Sequence, residues 1–510
     1  MSQTNSRGTI LPEFAVTAQQ MRDIEGRVFA AGMPVAALME KVAGKISQRI
    51  QALYPLSKLQ RVGILVGPGH NGGDALVVAR ELHFSGYQVL IYCPFSKLKD
   101  LTAQHAQYTK SLGIRFVERV DLLCDCQLLI DGLFGFGLER SLSEPITMAI
   151  EQLNCCSTPI ISIDLPSGLH TDTGEVMGKA IRASRTLCLG LWKLAFLQDR
   201  ALDYIGEAEL IDFDLPLTDI EAVLGSLPDV TRFTTDLAHS SLPLHRPPVT
   251  HKYQQGHLLL ICGSRQYAGG AILAGLGARG SGVGMLSIAV PTSLKPILTA
   301  KLPEALVIEC PETETGAIAH LRDLDLAKYS AIACGCGITQ DAITVVQSVL
   351  AAEKPLILDA DALNILASLG EIPRRQSLTI LTPHAGEFKR LFPQINLNNR
   401  INASCQAASE SSAVVLLKGA RTIIARPNGK VDIIVESTPA LARGGSGDVL
   451  TGLMGGLIAL ANCAQKPLES MVATAAWWHA QAAILAARER TELGVDAHTL
   501  TEYLIRAILS

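Results

Sequence analysis

At 510 residues the chain is too long for one ordinary domain, and two to four are expected. Apolar residues make up 48% and charged residues 18%, enough for large buried cores, so the chain reads as globular. A net charge of −4 gives no electrostatic case for nucleic acid or an anionic membrane as partner.

The polar start, MSQTNSRGT, lacks the apolar core of a signal peptide. The longest apolar run, 449–461, is short and interrupted by glycine, so it reads as a buried helix and not a membrane span. Twelve cysteines are scattered, with close pairs at Cys124 and Cys126, Cys155 and Cys156, and Cys334 and Cys336, none at CxxC spacing. The expectation is a cytoplasmic protein with reduced, mostly buried thiols and no zinc site.

Along the first half, residues 13–50 look helical, with Met21, Ile24, Val28, Leu38 and Val42 at helical spacing. RVGILV, Arg61–Val66, predicts a buried strand that runs into the glycine-rich turn GPGHNGGD, 67–74, and then a helix over 75–84. Strand, glycine turn and helix is the context of a phosphate-binding loop, although neither a Walker loop nor GxGxxG is present. Asn71 and Asp74 are the polar groups here that can hold a ligand or cation; both residue types also suit turns and helix caps. The alternation continues with a strand at 88–92, a helix at 102–111, and a strand at 126–131 ending in Asp131 before GLFGFGLERS. A helix over 144–153 leads to the strand PIISID, ending in Asp164 and followed by LPSGLHTDTGE. Strands at 185–189 and 207–211 close this set, with Lys193 between them. Asn71, Asp131 and Asp164 thus arrive at the carboxyl edge of one parallel sheet, where open α/β folds bind ligands.

HNGGD, DGLFGFGL and IDLPSGLHTDTGE resemble the epimerase domain of bacterial bifunctional NAD(P)H-hydrate repair enzymes, over most of residues 10–215. The resemblance implies a Rossmann-like domain with a potassium ion held by Asn71, Asp131 and Ser167. It also implies contacts to the hydrated nicotinamide nucleotide from His70, Asn71, Gly72, Gly73 and Asp74, and from Gly135, Phe136, Gly137, Leu138, Glu139, Arg140 and Ser141. Asp164 joins them as the acid/base. Carboxylate, amide oxygen and hydroxyl are hard ligands that suit an alkali cation. Two positions depart from the family: His70 stands where Asn is frequent, and Ala75 where Gly is frequent.

Residues 214–248 are punctuated by proline without a sustained apolar period, and LPLHRPP marks the domain link. A second α/β series follows. Strands are expected at 257–262, 285–290, 331–334, 355–359, 378–381 and 413–418, with a hairpin of 422–425 and 431–435 about Asn428-Gly429. Residues 263–284 hold a helix of Ala, Gly, Leu and Ile, which reads as buried and tightly packed. The series ends at ARGGSGDVLTG, where glycines crowd one carboxylate, Asp448, at the start of an apolar helix. Glycine admits close ligand approach, and a helix start favours anions. An acid at the edge of such a site is placed to take a proton from a hydroxyl attacking a phosphate.

GSRQYAGGA, DADALN, LTPHAGEF, LKGART and GGSGDVLTG resemble the ribokinase-like NAD(P)H-hydrate dehydratase domain, over roughly 252–510. The resemblance implies that Lys418, Gly419, Ala420, Arg421, Thr422 and Gly447 contact the adenine nucleotide. Ala271, Gly337, His384 and Asp448 would contact the hydrate, with Asp448 as catalytic base. The organisation implied is an epimerase domain over 1–225, a linker over 226–248, and a dehydratase domain over 249–510. The reactants are NADHX, NADPHX and ADP, with Mg²⁺ on the nucleotide. A homo-oligomer is expected, with no nucleic-acid or membrane partner. Roles for Lys193, Asp359 and Asp361 stay open, as does ATP in place of ADP. The rival readings are a vitamin or sugar kinase of the same fold, which would keep its phosphorylated product, and a first domain that binds without catalysis.

Overall fold

The computed structural model describes residues 7–509; the polar start at 1–6 lies outside them. Two compact units divide the chain, Met1–Pro228 and Asp229–Ser510.

The first unit is a seven-stranded, wholly parallel sheet with helices on both faces. Its main elements are α1 (Ala18–Ala30), α2 (Val35–Leu53), β1 (Arg61–Val66), α3 (His70–Phe84), β2 (Gln88–Tyr92), β3 (Arg115–Val117), β4 (Leu128–Gly132), β5 (Ile160–Ile163), β6 (Arg185–Leu189) and β7 (Glu207–Ile211). The strand order is β3-β2-β1-β4-β5-β6-β7. Ile64 faces Ile91 on one side and Ile130 on the other. Successive side chains alternate faces: Val62, Ile64, Leu128 and Ile130 enter one core, and Leu65 and Leu129 enter the other. Both faces are covered, so the strands are apolar throughout.

Two expectations change here. The helical stretch at 13–50 is two helices, because Gly32 takes a left-handed φ of 102° and Pro34 starts α2. A Thr17–Gln20 capping box begins α1. The second helix of the glycine motif begins at His70 and not at 75, so His70 to Asp74 form its first turn. A Cβ on Gly67 would lie 1.6 Å from the Leu133 carbonyl oxygen, and one on Gly72 1.9 Å from the Gly67 oxygen. The ends of β1 and β4 therefore meet backbone to backbone.

The expectation of uniformly reduced thiols is corrected: Cys124 and Cys156 form a disulfide. Their separation of 32 residues leaves no spacing signature; tertiary structure alone brings their Cα atoms to 5.9 Å. Cys126, Cys188, Cys262, Cys310, Cys334 and Cys336 are free and buried, as expected.

The second unit has ten strands: β8 (Val230–Arg232), β9 (His257–Ile261), β10 (Met285–Pro291), β11 (Leu306–Cys310), β12 (Ala331–Cys334), β13 (Leu356–Leu358), β14 (Thr379–Leu381), β15 (Val414–Leu417), β16 (Thr422–Ala425) and β17 (Val431–Ile434). Their order is β8-β17-β16-β15-β14-β13-β12-β9-β10-β11, parallel except that β16 is antiparallel to both neighbours. Part of the segment expected as linker is built into this unit. Val230 pairs with Val431 at the sheet edge, Phe233 is buried, and a helix at Thr235–Ser241 buries Ala238.

The helices that matter for the site are α4 (Ala268–Gly280), α5 (Ala360–Leu369), α6 (Ala385–Leu391), α7 (Ser446–Cys463) and α8 (Leu468–Arg490). Every residue of α7 from Val449 to Ala461 is buried, as its apolar run predicts. It crosses α4 in backbone contact: a Cβ on Gly452 would lie 1.8 Å from the Ala274 oxygen, and one on Gly277 2.2 Å from the Val449 oxygen.

Candidate active sites

Each sheet reverses its strand order once, between β1 and β4 in the first unit and between β9 and β12 in the second. Such a reversal splays the connecting loops apart and opens a crevice at the carboxyl edge. Many of the expected site residues lie on the loops at these carboxyl edges.

In the first unit the crevice is a cavity of about 600 Å³ whose lining includes His70, Asn71, Asp74, Gly135, Phe136, Gly137, Leu138 and Asp164. Glu139, Arg140 and Ser141 are exposed, Gly72 and Gly73 are buried, and none of the five lines it. Asp164 ends β5 at a φ of 68°, a region that costs a non-glycine residue energy and is held only where surroundings enforce it. The enforcement is visible. Asp164 Oδ1 accepts from Lys193 Nζ at 2.5 Å, and Oδ2 accepts from the Phe136 N–H at 2.9 Å. Lys193 is wholly buried and also donates to the Leu189 oxygen at 2.6 Å. Burial, the largest influence, would lower its pKa; the charges of Asp164, Cys188 and Glu25 and the Asp164 hydrogen bond together outweigh it and leave the pKa raised. A Cβ on Gly135 would lie 2.9 Å from Asp164 Oδ2 and 3.3 Å from Asn71 Oδ1, so glycine is what lets the loop pass both groups. Burial, then the charges of Asp164 and Glu25, hold the Asp74 carboxyl well above the usual range.

Beneath the cavity, Asp131 is fully buried. It accepts from Ser167 Oγ at 2.6 Å, Ser162 Oγ at 2.8 Å, the Ser167 N–H at 2.9 Å and the Leu133 N–H at 3.2 Å. Burial raises its pKa against these bonds. Among the described residues no cationic side chain pairs with it, and the Asn71 amide nitrogen is buried without a partner. A buried carboxylate without a protein cation, beside two hydroxyl oxygens, is a donor set that fits a hard cation.

In the second unit Asp448 lies in the first turn of α7, whose start is set by Gly445 at a φ of 92°. Its carboxylate sits against the first turn of α4 and the loop after β12: a Cβ on Gly270 would be 3.4 Å from Asp448 Oδ2 and 3.5 Å from the Cys336 oxygen. Burial pushes the Asp448 carboxyl up to about 6; a hydrogen bond from the Cys336 thiol and the Lys418 charge oppose the rise, and Asp359 and Asp361 add to it. Ala271 is buried one residue beyond Gly270, and Gly337 passes Tyr267 at a φ of 66° where a Cβ would be 2.7 Å from the tyrosine Cβ.

Asp359, at the end of β13, accepts from Lys418 Nζ at 2.8 Å and Thr451 Oγ1 at 2.7 Å. Burial would raise its pKa, and Lys418 reverses this to leave it lowered. Gly447 completes the group, with a Cβ position 3.6 Å from Lys418 Nζ. His384 caps α6: its Nδ1 accepts from the Gly386 N–H at 2.9 Å, while Glu387 accepts the His384 N–H at 2.8 Å. Gly419 and Ala420 are exposed, and Thr422 Oγ1 donates to the Gly419 oxygen at 3.1 Å. Arg421, at the end of the same loop, donates to the Val435 oxygen. Arg400 donates to the Lys418 and Arg421 oxygens at 3.1 Å each and so pins both ends of that loop.

Several contributors carry no sequence signal of their own. Glu25 is one charge on an amphipathic helix, Cys336 one thiol in a glycine turn, and Arg400 lies far from the loop it holds. His479 on α8 is buried, and that burial lowers its pKa to about 4; its neutral Nε2–H donates to the Ser446 oxygen at 2.9 Å. Lys193 alone was legible, as a lysine inside the apolar run LWKLAF.

The fold defines a protein of two α/β units, each with carboxylates and glycine turns at the carboxyl edge of its sheet. Residues 258–506 match the family described as NAD(P)H-hydrate dehydratase, and residues 35–195 match that described as YjeF-related protein N-terminus. A bifunctional NAD(P)H-hydrate repair enzyme of Synechocystis sp. is 56% identical over 495 residues, covering 96% of this chain and 94% of the relative. The enzyme of that name from Thermosynechococcus vestitus is 53% identical over 494 residues, covering 96% of each. A solved structure of ADP/ATP-dependent NAD(P)H-hydrate dehydratase from Bacillus subtilis, co-crystallized with ATP/Mg²⁺, shares 32% identity. It covers 54% of this chain and 96% of that one, with a TM-score of 0.46. The chain belongs to the bifunctional NAD(P)H-hydrate repair enzyme family.

Proposed function

We propose that the two crevices divide the repair of hydrated nicotinamide cofactors between them. The first unit interconverts the R and S hydrates, NADHX and NADPHX. The second dehydrates the S epimer to NADH or NADPH with ADP, giving AMP and phosphate.

The observation that carries this reading is the placement of Asp448. It is a desolvated carboxylate in the first turn of a long helix, beside Lys418 and the glycines of two loops. Hydroxide is a poor leaving group, and phosphorylation makes the C6 oxygen a good one. Asp448 takes the hydroxyl proton as the C6 oxygen attacks the terminal phosphate of ADP. N–H groups at the start of α7 hold the charge that develops on the phosphate. The ring nitrogen then expels phosphate, and loss of a C5 proton restores the double bond. Lys418 to Thr422 with Gly447 hold the adenine nucleotide; Ala271, Gly337 and His384 hold the hydrate. Mg²⁺ accompanying the nucleotide would supply charge neutralisation. Among the described residues no cluster of three His, Cys, Asp or Glu side chains forms a dedicated cage, and Asp359 is committed to Lys418 and Thr451.

In the first unit Asp164 is the acid/base that assists opening or dehydration at C6. His70, Asn71, Asp74 and Gly135 to Leu138 form the walls for the nucleotide. Asn71, Asp131 and Ser167 would hold K⁺, which supplies positive charge beneath the loops.

A racemic hydrate tests both halves. With ADP the protein should convert it completely, releasing free phosphate. A stop at half conversion removes the epimerase reading, and a stable phosphorylated product removes the dehydratase reading in favour of a kinase.

A further inference from the structure

The first cavity holds a carboxyl group that the scheme above leaves idle. Both oxygens of Asp164 already accept hydrogen bonds, from Lys193 and from the Phe136 N–H. So engaged, Asp164 is left as an acceptor of hydrogen bonds. Exchange of the hydroxyl between the two faces of C6 also needs a donor, one that gives a proton to the departing oxygen and recovers it when water returns.

Glu25 meets that need. It sits on α1, a different element from those carrying Asp164 and Lys193, and lines the same cavity. Met21 and Ile24 are buried in the core beneath it and fix the rotation of the helix. Among the described residues Glu25 has no hydrogen-bond or ion-pair partner. The other charged or titratable groups lining the cavity are Asp164, Lys193, Asp74, His70, Lys99 and Arg22. Arg22 is turned to Gln19 and Glu139. Burial pushes the Glu25 carboxyl up; Lys193 pulls it back and Asp164 adds to the rise, leaving it at about 7.

We propose that Glu25 is a second catalytic residue of the first unit, the proton donor to the C6 hydroxyl and the acceptor of the proton from returning water. The proposal rests on the reading of this cavity as the epimerase site. In the forward step the C6–O bond breaks, the ring-nitrogen lone pair forms the N1=C6 bond, and the hydroxyl leaves with the Glu25 proton as water. The Asp164 carboxylate faces the resulting cationic ring. Water then adds to the other face of C6, its proton returns to Glu25, and the N1=C6 electrons return to nitrogen.

The test uses the full-length protein with the R hydrate as substrate. Glu25→Gln should lower kcat for epimerisation by about 10²-fold or more. KM should stay within about twofold, and dehydration of the S hydrate in the same chain should be unaffected. Wild-type kcat/KM should fall as pH rises through about 7, as Glu25 loses its proton. That alkaline limb should vanish in Glu25→Gln. Glu25→Asp should recover part of the rate and show the limb at a displaced pH. Epimerisation by Glu25→Gln within about threefold of wild type overturns the proposal. So does a loss carried by KM alone, or an alkaline limb that keeps its position in both variants. If Asp164→Asn still epimerises, the reading of the cavity fails whatever Glu25 does. If Asp164→Asn is inactive while Glu25→Gln is active, Glu25 alone is struck out.

Discussion

A carboxylate can serve as a base only where something raises its affinity for protons without fixing one on it permanently. Asp448 has that balance: burial raises it to about 6, and the Cys336 thiol and Lys418 restrain the rise. The base form therefore predominates above pH 6 and is lost below it. ADP-dependent NADH formation should fall about tenfold per pH unit below that point. Asp448→Asn should abolish it with an unchanged circular-dichroism spectrum. Normal turnover by Asp448→Asn, or a flat profile down to pH 5, would refute the assignment. His479 does not share in this dependence over the same range, since it is neutral above about 4 and only orients the Ser446 carbonyl. The reach of sequence reasoning at this scale is clear from which residues it found. Asp448, Asp164 and Asp131 stand at the junction of an apolar strand or helix with a glycine turn, and periodicity finds such junctions. Glu25 and Arg400 are brought in by packing across long separations, and no local pattern marks them.

At the scale of elements, apolar runs ending in Gly, Asp or Lys located most strands, because strands buried on both faces must be apolar along their length. The strands that escaped are short or lie at edges. Leu306–Cys310 leaves Leu306 half exposed, and Val230–Arg232 is three residues long amid prolines. The glycine motif at 67–74 was legible as a strand-to-helix turn, while its helical first turn was not, since His-Asn-Gly-Gly has little helix propensity and tertiary contact overrides it. The crossing of α4 and α7 is more consequential. Gly277 and Gly452 let two helices meet at the backbone, and this crossing sets Asp448 against Gly270. A methyl group at 452 has no flexible neighbour to displace, because the atom it meets is the Ala274 carbonyl oxygen. Gly452→Ala should cost the second unit about 3 kcal/mol, the upper part of the usual range for overpacking. It should reduce dehydration more than epimerisation. Thermal unfolding followed alongside both activities checks this, and an unchanged melting temperature would show that the helices can part freely.

For the whole molecule, the two sheets repeat one device. Each reverses its strand order, and each gathers glycine turns and carboxylates at that reversal. The compact units divide at Pro228 and Asp229, and every residue named at each crevice belongs to a single unit. Two separate sites then require the epimerase product only to leave one and enter the next. This has a direct consequence for mixtures of disabled chains. Asp164→Asn alone should stop near half conversion of a racemic hydrate, and Asp448→Asn alone should form no NADH. An equimolar mixture of the two should convert the racemate completely, since the S hydrate made by one chain is consumed by the other. Its rate should depend on protein concentration, as expected for a hydrate that travels through solution. Failure of the mixture to pass half conversion, with each variant retaining its own remaining activity, would mean that the hydrate never leaves the chain. Separate sites would then have to be replaced by direct transfer within one molecule.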